Sequence, residues 1–147
     1  MAAQLFFSRR GVELAVLEAG IGGRLDSTNT IDDTTSVIIG GARNTVSGTY
    51  SVLLGGRQNN VDSNYGTVGG GFRAKVFSNY ALSVGGYNNQ ATGRFAATLG
   101  GAQNFARGRF SLAFGYKAQA KGDNSLAMSF SPNGCTAKTD NTINICS

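Results

Sequence analysis

The sequence of 147 residues contains no histidine, no tryptophan, one proline and two cysteines. Without histidine, a serine–histidine triad, a histidine-ligated zinc site and an imidazole general base are excluded. The two cysteines are too few for a cysteine-ligated metal site. Charged residues make up only 14%, and no apolar run approaches the length of a membrane-spanning helix. These absences favour a chain with no catalytic site, no metal, no other cofactor and no membrane span.

Glycine, in contrast, is abundant with 22 residues, and it marks an internal repeat. From Ser36 the chain divides every fifteen residues, as in SVIIGGARNTVSGTY and SVLLGGRQNNVDSNY, and a fourteen-residue unit, SLAFGYKAQAKGDN, follows the fifth. The five longer units share a glycine pair and a final aromatic residue, and four of them share an asparagine. The residues in register are Gly40, Gly41, Asn44, Tyr50, Gly55, Gly56, Asn59, Tyr65, Gly70, Gly71, Tyr80, Gly85, Gly86, Asn89, Phe95, Gly100, Gly101, Asn104 and Phe110. A short, regular period of this kind is typical of a solenoid.

One unit fits one coil of a parallel β-solenoid, in which two short strands are joined by two turns. The glycine pairs are expected where the coil reverses, because glycine adopts positive φ without a Cβ clash. The asparagines are expected to form a side-chain ladder with a spacing of about 4.8 Å. Alternation places Tyr50, Val52 and Leu54 on one strand face, so we interpret the aromatic residues as core or interface residues. This interpretation is favoured over a base-stacking platform, and no nucleic-acid partner is expected.

The third unit departs from the pattern. It has Ala74 in place of the asparagine and Gly69 in place of an aliphatic residue, which predicts a locally weaker coil. More generally, coils rich in glycine and alanine have little apolar surface to bury. Further burial along the side of the solenoid would stabilise them, so we expect a symmetric oligomer.

The stretch SLAFGYKAQAKGDNSLAMS closely resembles the head repeat of trimeric autotransporter adhesins (YadA-like heads). The GG-x-x-N-x-A-x-G-x-Y/F-A units resemble a longer variant of that repeat. The resemblance implies an all-β, left-handed parallel β-roll that forms a homotrimer. It further implies a non-catalytic structural or adhesive module, at a cell surface or extracellular, that binds host or matrix surfaces. The chain then divides into a non-repeat segment (1–35), the β-roll (36–129) and a tail (130–147).

The N-terminal segment carries a second resemblance. Its stretch AVLEAGIGGRLDSTN is similar to folylpolyglutamate synthases of the Mur ligase superfamily, in which the residue matching Glu18 helps to hold the magnesium ion of the nucleotide. The phosphate-binding G-x-x-x-x-G-K-[ST] loop of such enzymes is absent, however, and Leu25 breaks the G-x-G-x-x-G pattern. A ligase remnant with residual nucleotide binding is therefore the alternative function. Otherwise the segment is a graft, a gene-fusion scar or an end cap that covers the first coil.

The charge distribution and the tail bear on partners and location. Between Ser36 and Asn124, nine Lys and Arg residues against two Asp give a net charge of +7, which would attract acidic polysaccharide, lipid head groups or matrix proteins. Arg94, Arg107 and Arg109 are a candidate adhesive patch; the alternative is a solvated surface. Cys135 and Cys146 either form a local disulfide, which would favour an oxidising location, or remain free thiols. No signal peptide is recognised at the N-terminus.

Overall fold

A computed structural model describes residues 30–31 and 36–147 of the chain. The described residues form sixteen β-strands and no helix. The strands build two parallel sheets that face each other in a solenoid of about seven turns. The predicted all-β parallel solenoid is therefore confirmed. The interpretation of residues 1–29 and 32–35, including Glu18, falls outside the described residues.

The two sheets alternate along the chain, because each coil contributes one strand to each sheet. The first sheet contains β1 (Thr30–Ile31), β3 (Thr45–Val46), β5 (Asn60–Val61), β7 (Lys75–Val76), β9 (Gln90–Ala91), β11 (Phe105–Ala106), β13 (Ala118–Ala120) and β15 (Cys135–Ala137). The second sheet contains β2 (Val37–Ile38), β4 (Val52–Leu53), β6 (Thr67–Val68), β8 (Leu82–Val84), β10 (Ala97–Leu99), β12 (Leu112–Gly115), β14 (Leu126–Ser129) and β16 (Ile143–Cys146).

The strand register follows the sequence period. Asn60 pairs with Lys75 one full unit later, whereas the shorter sixth unit pairs Phe105 with Gln119. The strand β1 pairs with β3 in the same register, so the first sheet begins before Ser36. A third ladder of single bridges, from Ala42 to Tyr116, runs between the sheets at the end of the glycine turns. Identical repeat positions therefore stack directly above one another along the solenoid axis.

The core between the sheets is narrow: each of the strands β2 to β12 contributes one buried residue to it, whereas β13, β14 and β15 each bury two. In the first sheet this position is valine in the early coils and alanine from Ala91 onward, and all of these residues are fully buried. In the second sheet Ile38, Leu53 and Val68 are followed by Ser83 and Thr98, whose hydroxyls are 2.9 Å apart. Because the residues are small, each coil buries little apolar surface, as the composition suggests.

The aromatic residues lie outside this core. Val52 and Leu54 point outward, Tyr50 lies in the turn before β4, and the inward residues are Ser51 and Leu53. The final aromatic residue of each unit occupies a turn with φ between 55° and 61° and is 38–54% exposed. The interpretation of these rings as core residues is therefore wrong for the single chain. The narrow core has room for serine or alanine at the adjacent position and not for a ring.

Candidate functional site

The four asparagines in register form a buried ladder that holds the glycine turns. Asn59 is representative: its Nδ2 donates to the carbonyl oxygens of Gly55 (2.9 Å) and Gly71 (3.0 Å), and its Oδ1 accepts from the Ala74 backbone N–H (2.8 Å). The backbone N–H of Asn59 in turn donates to Asn44 Oδ1 (3.0 Å). All four side chains are at most 1% exposed. These amides are therefore committed to the backbone and are not placed to bind a ligand.

We expect Ala74→Asn to stabilise the protein by about 1 kcal/mol, because it fills the one gap in the ladder. At present Ala74 offers no side-chain acceptor to the N–H of Asn89, and a new amide would also donate to the carbonyls of Gly70 and Gly86 by the register of Asn59. The melting temperature, measured by circular dichroism, should rise by a few degrees. The control Ala74→Asp restores an acceptor for the Asn89 N–H but supplies no donors to the carbonyls, so it should not stabilise the protein. Equal melting temperatures for the two variants would contradict the role of the amide in the ladder.

The two glycines of each pair have different roles. Among the described residues, both glycines of the later pairs have positive φ, as at Gly100 (71°) and Gly101 (74°). A Cβ on Gly100 would lie 3.8 Å from its nearest neighbour, whereas a Cβ on Gly101 would lie 1.9 Å from the Gly115 carbonyl oxygen of the next coil. The same close approach recurs at Gly41, Gly56 and Gly86. The second glycine is thus required for coil stacking, and the first only for the turn.

The final aromatic residues stack into a continuous column along one edge of the solenoid. The ring centroids of Tyr50, Tyr65, Tyr80, Phe95 and Phe110 follow one another at 4.9–5.2 Å, with interplanar angles of 4–20°. Because each ring covers the face of the next, the column presents ring edges to solvent. Stacking of a sugar or a nucleic-acid base needs an open ring face, so the interior of the column does not supply one.

The candidate adhesive arginines lie beside this column. Arg94 and Arg109 occupy the same repeat position on consecutive coils, and each guanidinium lies 4.9 Å from the ring centroid of the aromatic residue that follows it. Arg107 projects from the first sheet, with its guanidinium 5.3 Å from the Phe105 ring. All three arginines are exposed. The structure thus groups Arg94 with Arg109, and their role in adhesion stays a prediction.

A disulfide between Cys135 and Cys146 closes the last coil. It joins β15 of the first sheet to β16 of the second, with the Cα atoms 5.6 Å apart. Both strands belong to the terminal coil, which has no further coil stacked on it within the described chain. The link therefore joins the two sheets at the last described coil. Such bonds persist in oxidising compartments.

The outer side of the second sheet is apolar along its whole length, and we call it the apolar face. Each strand contributes two outward positions, and none of the sixteen residues is charged. The positions are Val37, Ile39, Val52, Leu54, Thr67, Gly69, Leu82, Val84, Ala97, Leu99, Leu112, Phe114, Leu126, Met128, Ile143 and Ile145. Leu54, Leu99 and Ile145 are 45–61% exposed. A contiguous apolar surface of this extent marks an interaction site.

The comparison with known families identifies part of the repeat array. Residues 106–128 match the YadA head domain repeat, in two copies. These residues run from the end of β11 through β12 and β13 into β14, so the match covers the coils with the shorter unit. The expected resemblance to YadA-like heads is therefore confirmed for this part of the chain.

The second resemblance is confirmed as a short partial match. A segment of 32 residues is 56% identical to a probable bifunctional folylpolyglutamate synthase/dihydropteroate synthase of Halobacterium salinarum. It covers 22% of this chain and only 4% of that protein. Within the described residues no cluster of three or more acidic, cysteine or histidine side chains could hold a metal ion. In that same part of the chain, no helix has the length and hydrophobicity needed to cross a membrane.

Proposed function

We propose that the protein is a non-catalytic structural and adhesive module that forms a homotrimer at a cell surface or in an extracellular fibre. The observation that carries the proposal is the apolar face. It covers one whole side of the solenoid and includes the coils that match the YadA head repeat. An adhesive module of this kind needs a rigid, elongated body and a large exposed surface, and the stacked coils supply both.

Copies of the same chain are the natural cover for the apolar face. In one chain, residues such as Val84 (41% exposed) and Leu99 (45%) would stay in water, at a cost of about 25 cal/mol per Å² of apolar area. A cyclic arrangement brings the apolar face of every copy to a common axis, so that each copy's apolar face is covered by its neighbours. The resemblance to YadA-like heads favours three copies. The polar and basic outer side of the first sheet then faces outward, where a partner can reach it.

The disulfide supports the extracellular or surface location. The bond between Cys135 and Cys146 is of a kind that glutathione and thioredoxin reduce in the cytosol. A module exposed outside the cell would keep it.

We expect the wild-type protein to have three times the 15.2 kDa chain mass when measured by size-exclusion chromatography with light scattering. Val84→Glu should reduce the mass to that of one chain, because it brings three carboxylates together in an apolar interface without partners. The matched control is Phe77→Glu, on the outer side of the first sheet, where the exposed fraction is nearly the same (42% against 41%). Asp62 occupies this repeat position one coil earlier, so the control should stay trimeric. A monomeric wild type, or a trimeric Val84→Glu variant, would refute the assembly.

Residual nucleotide binding is the second candidate function, and its support is the short match to the synthase. It predicts that Mg-ATP binds the isolated chain. Isothermal titration calorimetry with Mg-ATP tests this directly, and an absence of heat at millimolar nucleotide would remove the candidate. The trimer measurement does not depend on that result.

A further inference from the structure

A polar groove runs along the solenoid between the glycine turns and the first sheet. It consists of two open hollows of about 360 and 520 Å³ that meet at Asn88, which lines both. One wall is a column of residues at the same repeat position in six successive coils. These residues are Arg43, Gln58, Arg73, Asn88, Gln103 and Lys117. The opposite wall is formed by the outward residues at the start of the first-sheet strands, including Lys75.

The backbone holds this column of side chains at a fixed spacing. All six residues have φ between 52° and 59°, a conformation that costs a non-glycine residue about 1–2 kcal/mol. The backbone N–H groups of the later five donate to carbonyls of the preceding coil, as from Asn88 to Phe72 (2.8 Å). Side chains therefore project into the groove about every 4.8 Å along the axis. A polar side chain is present at each of these positions although glycine would be less strained.

The chemistry of the groove suits a ligand that is both acidic and rich in hydroxyl groups. Arg43, Arg73, Lys75 and Lys117 supply positive charge, and none of the described residues that line the two hollows is acidic. Between the cations lie the amides of Gln58, Asn88, Gln103 and Gln119, which both donate and accept hydrogen bonds. Hydroxyl groups have the same dual capacity, whereas carboxylates and sulfates pair with the cations.

Two of the cations that line the groove, Arg73 and Lys117, are held by contacts within the chain. Arg73 Nε donates to Gln58 Oε1 of the preceding coil (3.2 Å), and the Arg73 guanidinium lies 5.0 Å from the Phe72 ring centroid. Lys117 Nζ lies 4.8 Å from the Tyr116 ring centroid. These contacts restrict the two long side chains before a ligand arrives, which lowers the entropy lost on binding.

We propose that the groove binds a linear acidic polysaccharide laid along the solenoid axis. The proposal deepens the adhesive function given above by naming its ligand class and its binding residues. Single-stranded nucleic acid fits less well, because the ring that lines the groove, Phe105, has the Arg107 guanidinium 5.3 Å from its centroid. The neighbouring rings of Phe72 and Tyr116 are covered in the same way by Arg73 and Lys117. Bases would have no open aromatic face on which to stack.

The test compares two variants that each lose three cations. The groove variant is Arg73→Gln/Lys75→Gln/Lys117→Gln, and the control is Arg94→Asn/Arg109→Asn/Lys121→Thr, none of whose residues lines the groove. Every replacement is a residue that another coil already has at the same repeat position, so both variants are expected to fold. The templates are Gln58, Gln90, Gln103, Asn64, Asn79 and Thr92. Heparin and hyaluronate, immobilised for surface plasmon resonance at graded salt, are the probes, and oligo-dT serves as the nucleic-acid competitor.

We expect the groove variant to bind heparin about thirtyfold more weakly, since each exposed cation contributes a factor of about three. The control should change affinity by no more than about threefold, and wild-type binding should weaken with salt. The proposal would be overturned by equal losses of heparin affinity in both variants, by a loss in the control alone, or by tighter binding of oligo-dT than of heparin. Light scattering on the same samples separates the two proposals: a trimer that binds neither polysaccharide refutes the groove and leaves the assembly intact.

Discussion

Gly101→Ala is expected to destabilise the protein by about 2–5 kcal/mol. The new Cβ would lie 1.9 Å from the Gly115 carbonyl oxygen, so the coils would have to move apart. That oxygen accepts bonds from the backbone N–H of Ala102 (2.9 Å) and from Asn104 Nδ2 (2.8 Å), and both would weaken. Overpacking of this kind costs about 1–3 kcal/mol, and a non-glycine residue at φ 74° adds about 1–2 kcal/mol.

The neighbouring Gly100→Ala variant separates the clash from the backbone strain. Its φ is nearly the same (71°), but the nearest atom to its Cβ is 3.8 Å away. It should therefore lose only about 1–2 kcal/mol. Thermal unfolding should give a melting temperature for Gly101→Ala that is several degrees below that of Gly100→Ala. Hydrogen exchange of the Ala102 amide should accelerate in Gly101→Ala alone. Equal melting temperatures in the two variants would rule out the stacking role of the second glycine.

The coil and its register could be predicted from the sequence because they depend on identical residues at identical positions. A ladder of asparagines requires the same side chain in successive coils. A close approach at glycine requires that successive coils have no side chain at that position. Repetition therefore leaves a direct trace in the sequence. Asn44 and Asn59, or Gly41 and Gly56, are visible as repeats in the order of residues alone.

Which face of each strand points into the core could not be predicted in the same way. Alternation predicts that Tyr50, Val52 and Leu54 lie on one side, but it does not say which side is inward. The usual assumption places the larger apolar residues in the core. Here the core accepts Ser51 and Leu53, and the larger set remains outside as part of the aromatic column and the apolar face. An interface role for these outer residues stays a prediction, and the trimer measurement tests it for the apolar face.

The groove could not be recognised in the sequence for a related reason. Its column contains two arginines, two glutamines, one asparagine and one lysine, so no single residue type occupies the repeat position in all six coils. What its members share is a backbone conformation with positive φ, together with a polar side chain. A search for polar residues that directly precede the ladder asparagine would have found Arg43, Gln58, Asn88 and Gln103. By composition alone, the basic residues of the repeats form only a diffuse positive field.

Asn104→Ala is expected to cost about 3 kcal/mol, because a single amide satisfies three backbone groups. Its Nδ2 donates to the carbonyls of Gly100 and Gly115 (2.8 Å each), and its Oδ1 accepts from the backbone N–H of Ala118 (2.9 Å). The site is 0% exposed, so water cannot replace the bond to the amide donor without local opening. A buried donor left without an acceptor costs about 1–3 kcal/mol by itself. Thermal unfolding gives the loss, and hydrogen exchange of the Ala118 amide localises it.

Asn104→Asp tests whether the donors or the acceptor matter more. The carboxylate keeps an acceptor for Ala118 but would face the carbonyl oxygens of Gly100 and Gly115 at hydrogen-bond distance. Burial against these oxygens should raise the pKa of the new carboxyl group, since the charged form is disfavoured. A group whose folded-state pKa is raised contributes stability at low pH that is lost as the pH rises. Asn104→Asp should therefore be less stable than Asn104→Ala near pH 7 and should recover toward about pH 4, relative to the wild-type protein at each pH. If the difference in stability between the two variants did not change with pH, the hydrogen bonds that Asn104 Nδ2 donates would not hold this side chain in place.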